Sequence, residues 1–245
     1  MVIDMIFVSS ARILQIGVMY SIVVVLCLFL GIRVLKRGKA ITNKYMGTFF
    51  LWMGVTMSLN VLYVALDIPE IIATLANLTA ASVLFSQVLL LIFVLIVRYS
   101  QAEINKQKQV LWIVVAALVG IGGFLIGWLG LGSGVGITEP PTNDNVPVWE
   151  WYYSLYIFIA SGIFILLTII NAYLVRKSFS DVTMRKRFTY FLIGISLLFW
   201  LFGGNPWANL EASSTFRTIF GISALVIIPA AILLYLSLGK EVAKK

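Results

Sequence analysis

Inside the apolar stretches of this 245-residue chain, the side chains equipped for chemistry are amides, hydroxyls and aromatic rings, and no Asp, Glu, Lys, Arg or His stands among them. Asn60 and Tyr63 fall in one stretch and Asn77, Ser82, Ser86 and Gln87 in the next. Ser154, Tyr156, Ser161, Thr168 and Asn171 share a later one, followed by Ser196 and Trp200. Such groups exchange hydrogen bonds but carry no charge at neutral pH. In a membrane they serve in one of two ways. They tie helices together, at roughly 0.6 kcal/mol per contact, or they line a small uncharged pocket. The candidate lining is Asn60, Tyr63, Asn77, Ser82, Gln87, Tyr156 and Trp200, which suits a neutral amphipathic molecule or a lipid. Ser82, Ser86 and Gln87 follow a helical spacing that faces a neighbouring helix. Asn77-Leu78-Thr79 is also a glycosylation sequon, but at the membrane boundary.

Other chemistries lack their reagents. The chain has no histidine and a single cysteine, Cys27. Haem, zinc and copper sites lean on imidazole, so no metal and no cofactor is expected. A lone thiol in hydrocarbon is a small apolar filler. Ser9-Ser10 and Ser213-Ser214 have no imidazole to activate them, and the basic loops hold only Glu103 and Asp181, so no enzyme activity is expected. Ion-coupled transport calls for ionisable groups at membrane depth, which the apolar stretches do not supply.

The elements that position these groups follow from the charges. Sixteen of the 18 Lys and Arg residues fall in four clusters. These are Arg33, Lys36, Arg37, Lys39 and Lys44; Arg98, Lys106 and Lys108; Arg176, Lys177, Arg185, Lys186 and Arg187; and Lys240, Lys244 and Lys245. Asp4, Asp67, Glu70, Glu139, Asp144, Glu150 and Glu211 occupy the intervening loops. Between clusters the chain runs apolar for about the 20 residues that cross a hydrocarbon core of roughly 30 Å. Hydrophobic residues make up 61% and charged residues 11%, which excludes an ordinary soluble domain. The expectation is an all-α membrane protein: one seven-transmembrane helix bundle over residues 1–245, N-terminus outside and C-terminus cytoplasmic by the positive-inside rule. Its spans are 13–32, 46–66, 72–97, 110–131, 152–175, 188–204 and 217–238. The net charge of +8 is absorbed by that rule, so no nucleic-acid partner is expected, only attraction to anionic head groups at the inner leaflet. The first span has its positive charges after the apolar run, unlike a cleaved signal peptide, and is expected to remain.

Several local features bear on motion and association. The third span is long and should tilt. The sixth is short and should stop at Gly203-Gly204-Asn205-Pro206. Pro229 frees the carbonyl of Leu225 and should kink the seventh span, as a static bend or a hinge. Gly120, Gly123, Gly127 and Gly130 of the fourth span allow close helix packing, either within the bundle or at a homodimer seam. Residues 131–148 read as an exposed external loop. Trp149, Trp151, Tyr152, Tyr153 and Tyr156 follow it, as interfacial anchors or as the rim of an outward-facing cavity.

Seven helices invite comparison with known bundles. Microbial rhodopsins carry retinal on a lysine midway along the seventh helix, where this chain has none. The seven-helix sugar transporters carry Pro-Gln motifs in two parallel repeats, and neither occurs here. Arg185-Lys186-Arg187-Phe188-Thr189-Tyr190-Phe191-Leu192-Ile193-Gly194 is similar to a run in the seven-transmembrane sensor regions that precede prokaryotic histidine kinases. There a basic cluster leads into a Tyr/Leu-rich run ending in Gly, and Arg185, Arg187, Tyr190 and Gly194 occupy the matching positions. The resemblance implies a receptor-like bundle in the cell membrane of a prokaryote. Those sensors continue into signalling domains, whereas this chain stops shortly after the seventh span. A separate membrane or cytoplasmic protein is therefore expected to read Arg176, Lys177, Arg185, Lys186 and Arg187. Ligand binding in the outer half would shift helices five to seven, with Pro229 as hinge. The competing expectation is an accessory or structural subunit of a larger membrane complex, with transport of a neutral solute or lipid behind it.

Overall fold

The computed structural model describes residues 17–18, 20–64, 66, 69–129, 137–138, 148–210, 219–220 and 222–237. Arg12, Asp67, Asp144, Arg217 and the basic tail from Lys240 lie outside the described residues, as does the side chain of Tyr63. Among the described residues seven α-helices follow one another: α1 (Ser21–Leu35), α2 (Ile41–Val64), α3 (Pro69–Glu103), α4 (Lys106–Leu129), α5 (Trp151–Ser178), α6 (Val182–Leu210) and α7 (Ile227–Ser237). Each lies on one of the seven apolar segments. Five of them, α2 to α6, are long and apolar enough to cross a membrane, while α1 and α7 are shorter apolar helices.

Polar loop side chains decide where helices begin. Both carboxylate oxygens of Asp181 accept backbone N–H bonds at 3.1 Å, from Thr183 and Met184, satisfying two of the donors that a helix start leaves unpaired. Asn105 caps α4 in the same way, accepting from the Lys108 amide at 3.1 Å. At the far end of α3, Ser100 interrupts the helix at φ 75°, ψ 161°.

The sixth helix corrects the sequence expectation. It runs unbroken through Gly203-Gly204-Asn205-Pro206 to Leu210. Packing overrides the local stop signal. Pro206 is buried, Trp207 sets its ring edge-on to Phe158 at 5.5 Å, and Asn209 donates to the Asn205 carbonyl at 2.9 Å. Gly204 lies against the Phe220 ring. In the seventh segment residues 219–220 and 222–223 are helical, a 3₁₀ turn at Ala224–Val226 interrupts them, and α7 resumes at Ile227, so Pro229 sits in its first turn, where proline is tolerated.

Helices α1, α2, α3, α5, α6 and α7 pack as successive neighbours, and α7 returns to touch α1. Helix α3 is the most buried, touching α2, α4 and α5; α4 packs on its outer side. Gly31 and Gly47 let α1 and α2 approach closely: a Cβ on Gly31 would stand 2.9 Å from the Leu51 backbone nitrogen. Two-residue strands β1 (Ile137–Thr138) and β2 (Val148–Trp149) pair antiparallel within the connection between α4 and α5, a hairpin that the sequence does not announce. The bundle is apolar outward as well as inward. On α5, Ile159, Ile163, Leu166 and Ile170 are exposed, while Ser154, Ser161, Thr168 and Asn171 are buried.

Candidate functional site

Asn77 is the polar centre of the half of the bundle nearest the β1–β2 hairpin. It lies on α3, 1% exposed. Its Nδ2 donates to the Phe124 carbonyl of α4 at 2.6 Å, and its Oδ1 accepts from the Tyr153 hydroxyl of α5 at 2.6 Å. One carboxamide thus joins three helices, and with both ends engaged it is closed to glycosylation. Gly127 on α4 makes the space, since a Cβ there would stand 2.5 Å from Asn77 Nδ2. One turn further, the Tyr156 hydroxyl donates to the Val119 carbonyl at 2.7 Å, and its ring lies over Gly122 and Gly123. Gly120 faces Ala81 of α3. These helix-four glycines are seats for side chains of the same chain, and the lipid-side face of α4 is instead Leu111, Val114, Leu118, Ile121, Leu125 and Trp128.

The Asn77–Tyr153 pair is the first of three polar rungs between α3 and α5. Gln87 Nε2 donates to Ser161 Oγ at 2.6 Å in the middle, and Arg98 Nη1 donates to Asn171 Oδ1 at 2.5 Å at the basic end. Sequence numbers rise together on both helices, so the two run parallel. Ser82 is buried, and its carbonyl accepts from Trp52 Nε1 of α2 at 3.1 Å. Ser86 bonds within its own helix, to the Val83 carbonyl.

Other candidates stand apart. Asn60 is half-buried, with its amide 4.0 Å from Met57 Sδ on the same helix. Tyr63 belongs to the last turn of α2. Trp200 faces outward, 61% exposed, with its indole 3.3 Å from Ser223 Oγ, so it shares no lining with Asn77.

The aromatic run after the hairpin divides. Trp151 and Tyr152 are exposed and stack at 3.6 Å, as interfacial anchors do. Trp149 and Tyr153 are buried and meet edge-on at 4.8 Å. Two buried groups here have no hydrogen-bond partner: Trp149 Nε1 and Ser154 Oγ. Gln87 Oε1, further along α3, is a third. Buried polar atoms normally find a partner, so each marks a place where a ligand or water group would be accepted. Ser154 stands among the polar groups of its segment, and Trp149 and Tyr153 in the aromatic run, but none of the three is in the candidate lining. The helical spacing of 154, 161 and 168, a row of small polar groups along α5, is the signal that fixes this face.

At the basic end, Arg176 Nε donates to Thr189 Oγ1 at 2.8 Å, tying α5 to α6. Arg185 donates to the Phe179 carbonyl at 3.0 Å, and Lys186 lies over the Tyr190 ring at 5.9 Å. Arg187 reaches Met184 Sδ at 3.8 Å, and Lys177 is exposed. Gly194, which the sensor resemblance singles out, is where α6 meets α7, with a Cβ there only 3.0 Å from the Ala230 carbonyl. Pro229 is exposed on α7. Among the described residues no three His, Cys, Asp or Glu side chains gather, so the groups on offer are amide, hydroxyl, indole and guanidinium. Comparison with family models, with curated proteins and with solved structures finds no match to this chain.

Proposed function

We propose that the chain is a non-enzymatic seven-helix membrane sensor, with all seven segments crossing the bilayer and the basic loops in the cytoplasm. A neutral amphipathic ligand or lipid binds in the outer half, where α3, α4 and α5 meet beneath Trp149. The supporting observation is the pair of buried, unpartnered groups, Trp149 Nε1 and Ser154 Oγ, next to the satisfied Asn77–Tyr153 bond. Both can donate, which favours a ligand presenting carbonyl or ether oxygen. Binding there bears on the start of α5 and shifts α6 and α7, with the break before Pro229 as hinge. The movement is read by a separate protein through Arg176, Lys177, Arg185, Lys186 and Arg187.

The test is retention of a small molecule or lipid through purification, read by mass spectrometry of the detergent-solubilised protein. Trp149→Phe keeps the ring and removes the indole N–H, and Ser154→Ala removes the hydroxyl. Each should lower retention at least several-fold while unfolding stays near wild type. Equal retention by both variants sinks the pocket.

A second reading is supported by α4. It leans chiefly on α3, and its exposed row from Leu111 to Trp128 would suit a neighbouring membrane subunit. Stoichiometric co-purification of a partner that is lost on introducing Leu118→Gln and Ile121→Gln would favour that role.

A further inference from the structure

The start of α2, at its basic end, leaves donors without acceptors. Ala40 precedes the helix and offers no side-chain acceptor, and the first turn contains no acidic residue. The first helical bond is Lys44 N–H to the Ala40 carbonyl at 3.1 Å, so the amides of Ile41, Thr42 and Asn43 have no acceptor within the helix. A free helix start of 24 residues carries a partial positive charge. A second feature is independent of it. Asn43 is 3% exposed, and its Nδ2 is buried without an acceptor. That nitrogen is turned back toward the approaching loop, 3.9 Å from where a Cβ on Gly38 would stand, and among the described residues no other contact within 4 Å of that point is found. Gly38 has φ 148°, a conformation that side chains rarely adopt, and its missing Cβ leaves a cradle walled by the amide. The polar pair next to it is satisfied: Tyr45 donates to Gln109 Oε1 at 2.8 Å, and Gln109 donates to the Ile104 carbonyl at 2.6 Å. Lys36, Lys39 and Lys44 are exposed around the same loop.

From this we infer that the Gly38–Lys44 segment binds the phosphate of an anionic phospholipid head group. Helix amides and Asn43 Nδ2 donate to phosphate oxygens, as helix starts do for phosphates generally, and the lysines supply charge. A lipid is favoured over a soluble anion by the location, at the end of a membrane-length helix where its head groups lie. The site is independent of the outer ligand proposed above.

The test uses the full chain in phosphatidylcholine nanodiscs, with and without phosphatidylglycerol, and with inorganic phosphate as the soluble alternative. Phosphatidylglycerol should raise the melting temperature, while inorganic phosphate at millimolar concentration should not. Asn43→Leu deletes the donor at constant charge and should weaken phosphatidylglycerol binding by tenfold or more, the scale of a lost bond to a charged group. Asn43→Asp should melt no lower than wild type without anionic lipid, because a carboxylate favours a helix start, yet should lose the phosphatidylglycerol shift. If Asn43→Leu fails to fold, Asn43→Asp alone decides. Binding by Asn43→Leu within twofold of wild type, a retained shift in Asn43→Asp, or an equal shift from inorganic phosphate would each overturn the proposal.

Discussion

Gly127 has no room for one further carbon, because the carboxamide of Asn77 occupies the place where it would go. Gly127→Ala should therefore cost about 1–3 kcal/mol through overpacking. In an Asn77→Ala background the same change should cost under about 0.5 kcal/mol, a non-additivity that equilibrium unfolding in detergent would measure. Asn77, Gln87 and Tyr156 were legible as polar groups that must be satisfied, because an amide or phenol in an apolar run has to find a partner. What they bond to was not legible, since it depends on which way each helix faces. Trp200 illustrates the difference. It is as aromatic as Trp149, but on α6 the inward positions are 195, 198, 201 and 202, which leaves 200 on the lipid side. Tyr153, on α5 beside the buried Ser154, turns inward, and Trp149, on β2, packs edge-on against it.

At the scale of elements, the charge clusters separated the seven apolar segments on which the helices lie, because lysines and arginines avoid hydrocarbon. The ends were less legible. Helix α6 passes through Gly-Gly-Asn-Pro since Phe158 and Phe220 pack over it, and no local pattern encodes neighbours from elsewhere in the chain. The β1–β2 hairpin was hidden within a run of turn-forming residues. Ser100 ends the continuous part of α3 in a backbone region almost exclusive to glycine. Ser100→Gly should raise stability by about 1 kcal/mol, and Ser100→Val should lower it by at least as much, both read by thermal unfolding.

Among the described residues the apolar helices expose large hydrophobic side chains and bury amides and hydroxyls such as Asn77, Gln87, Ser161 and Thr168, the arrangement that a lipid surrounding rewards and water does not. The proposed orientation has a direct test, with Cys27 buried and so a weak background thiol. A membrane-impermeant maleimide should label Asp144→Cys on intact cells and Arg185→Cys only after permeabilisation. The reverse pattern would invert the bundle. The three rungs between α3 and α5 set what kind of motion such a bundle can make. Sliding one helix past the other breaks all three together, at about 2 kcal/mol on the membrane scale, before any new contact forms. The pair therefore works as a stator. In the proposed sensor, a displacement begun at the hairpin end would reach the basic end by rolling α6 and α7 around this fixed axle, not by a piston stroke along it.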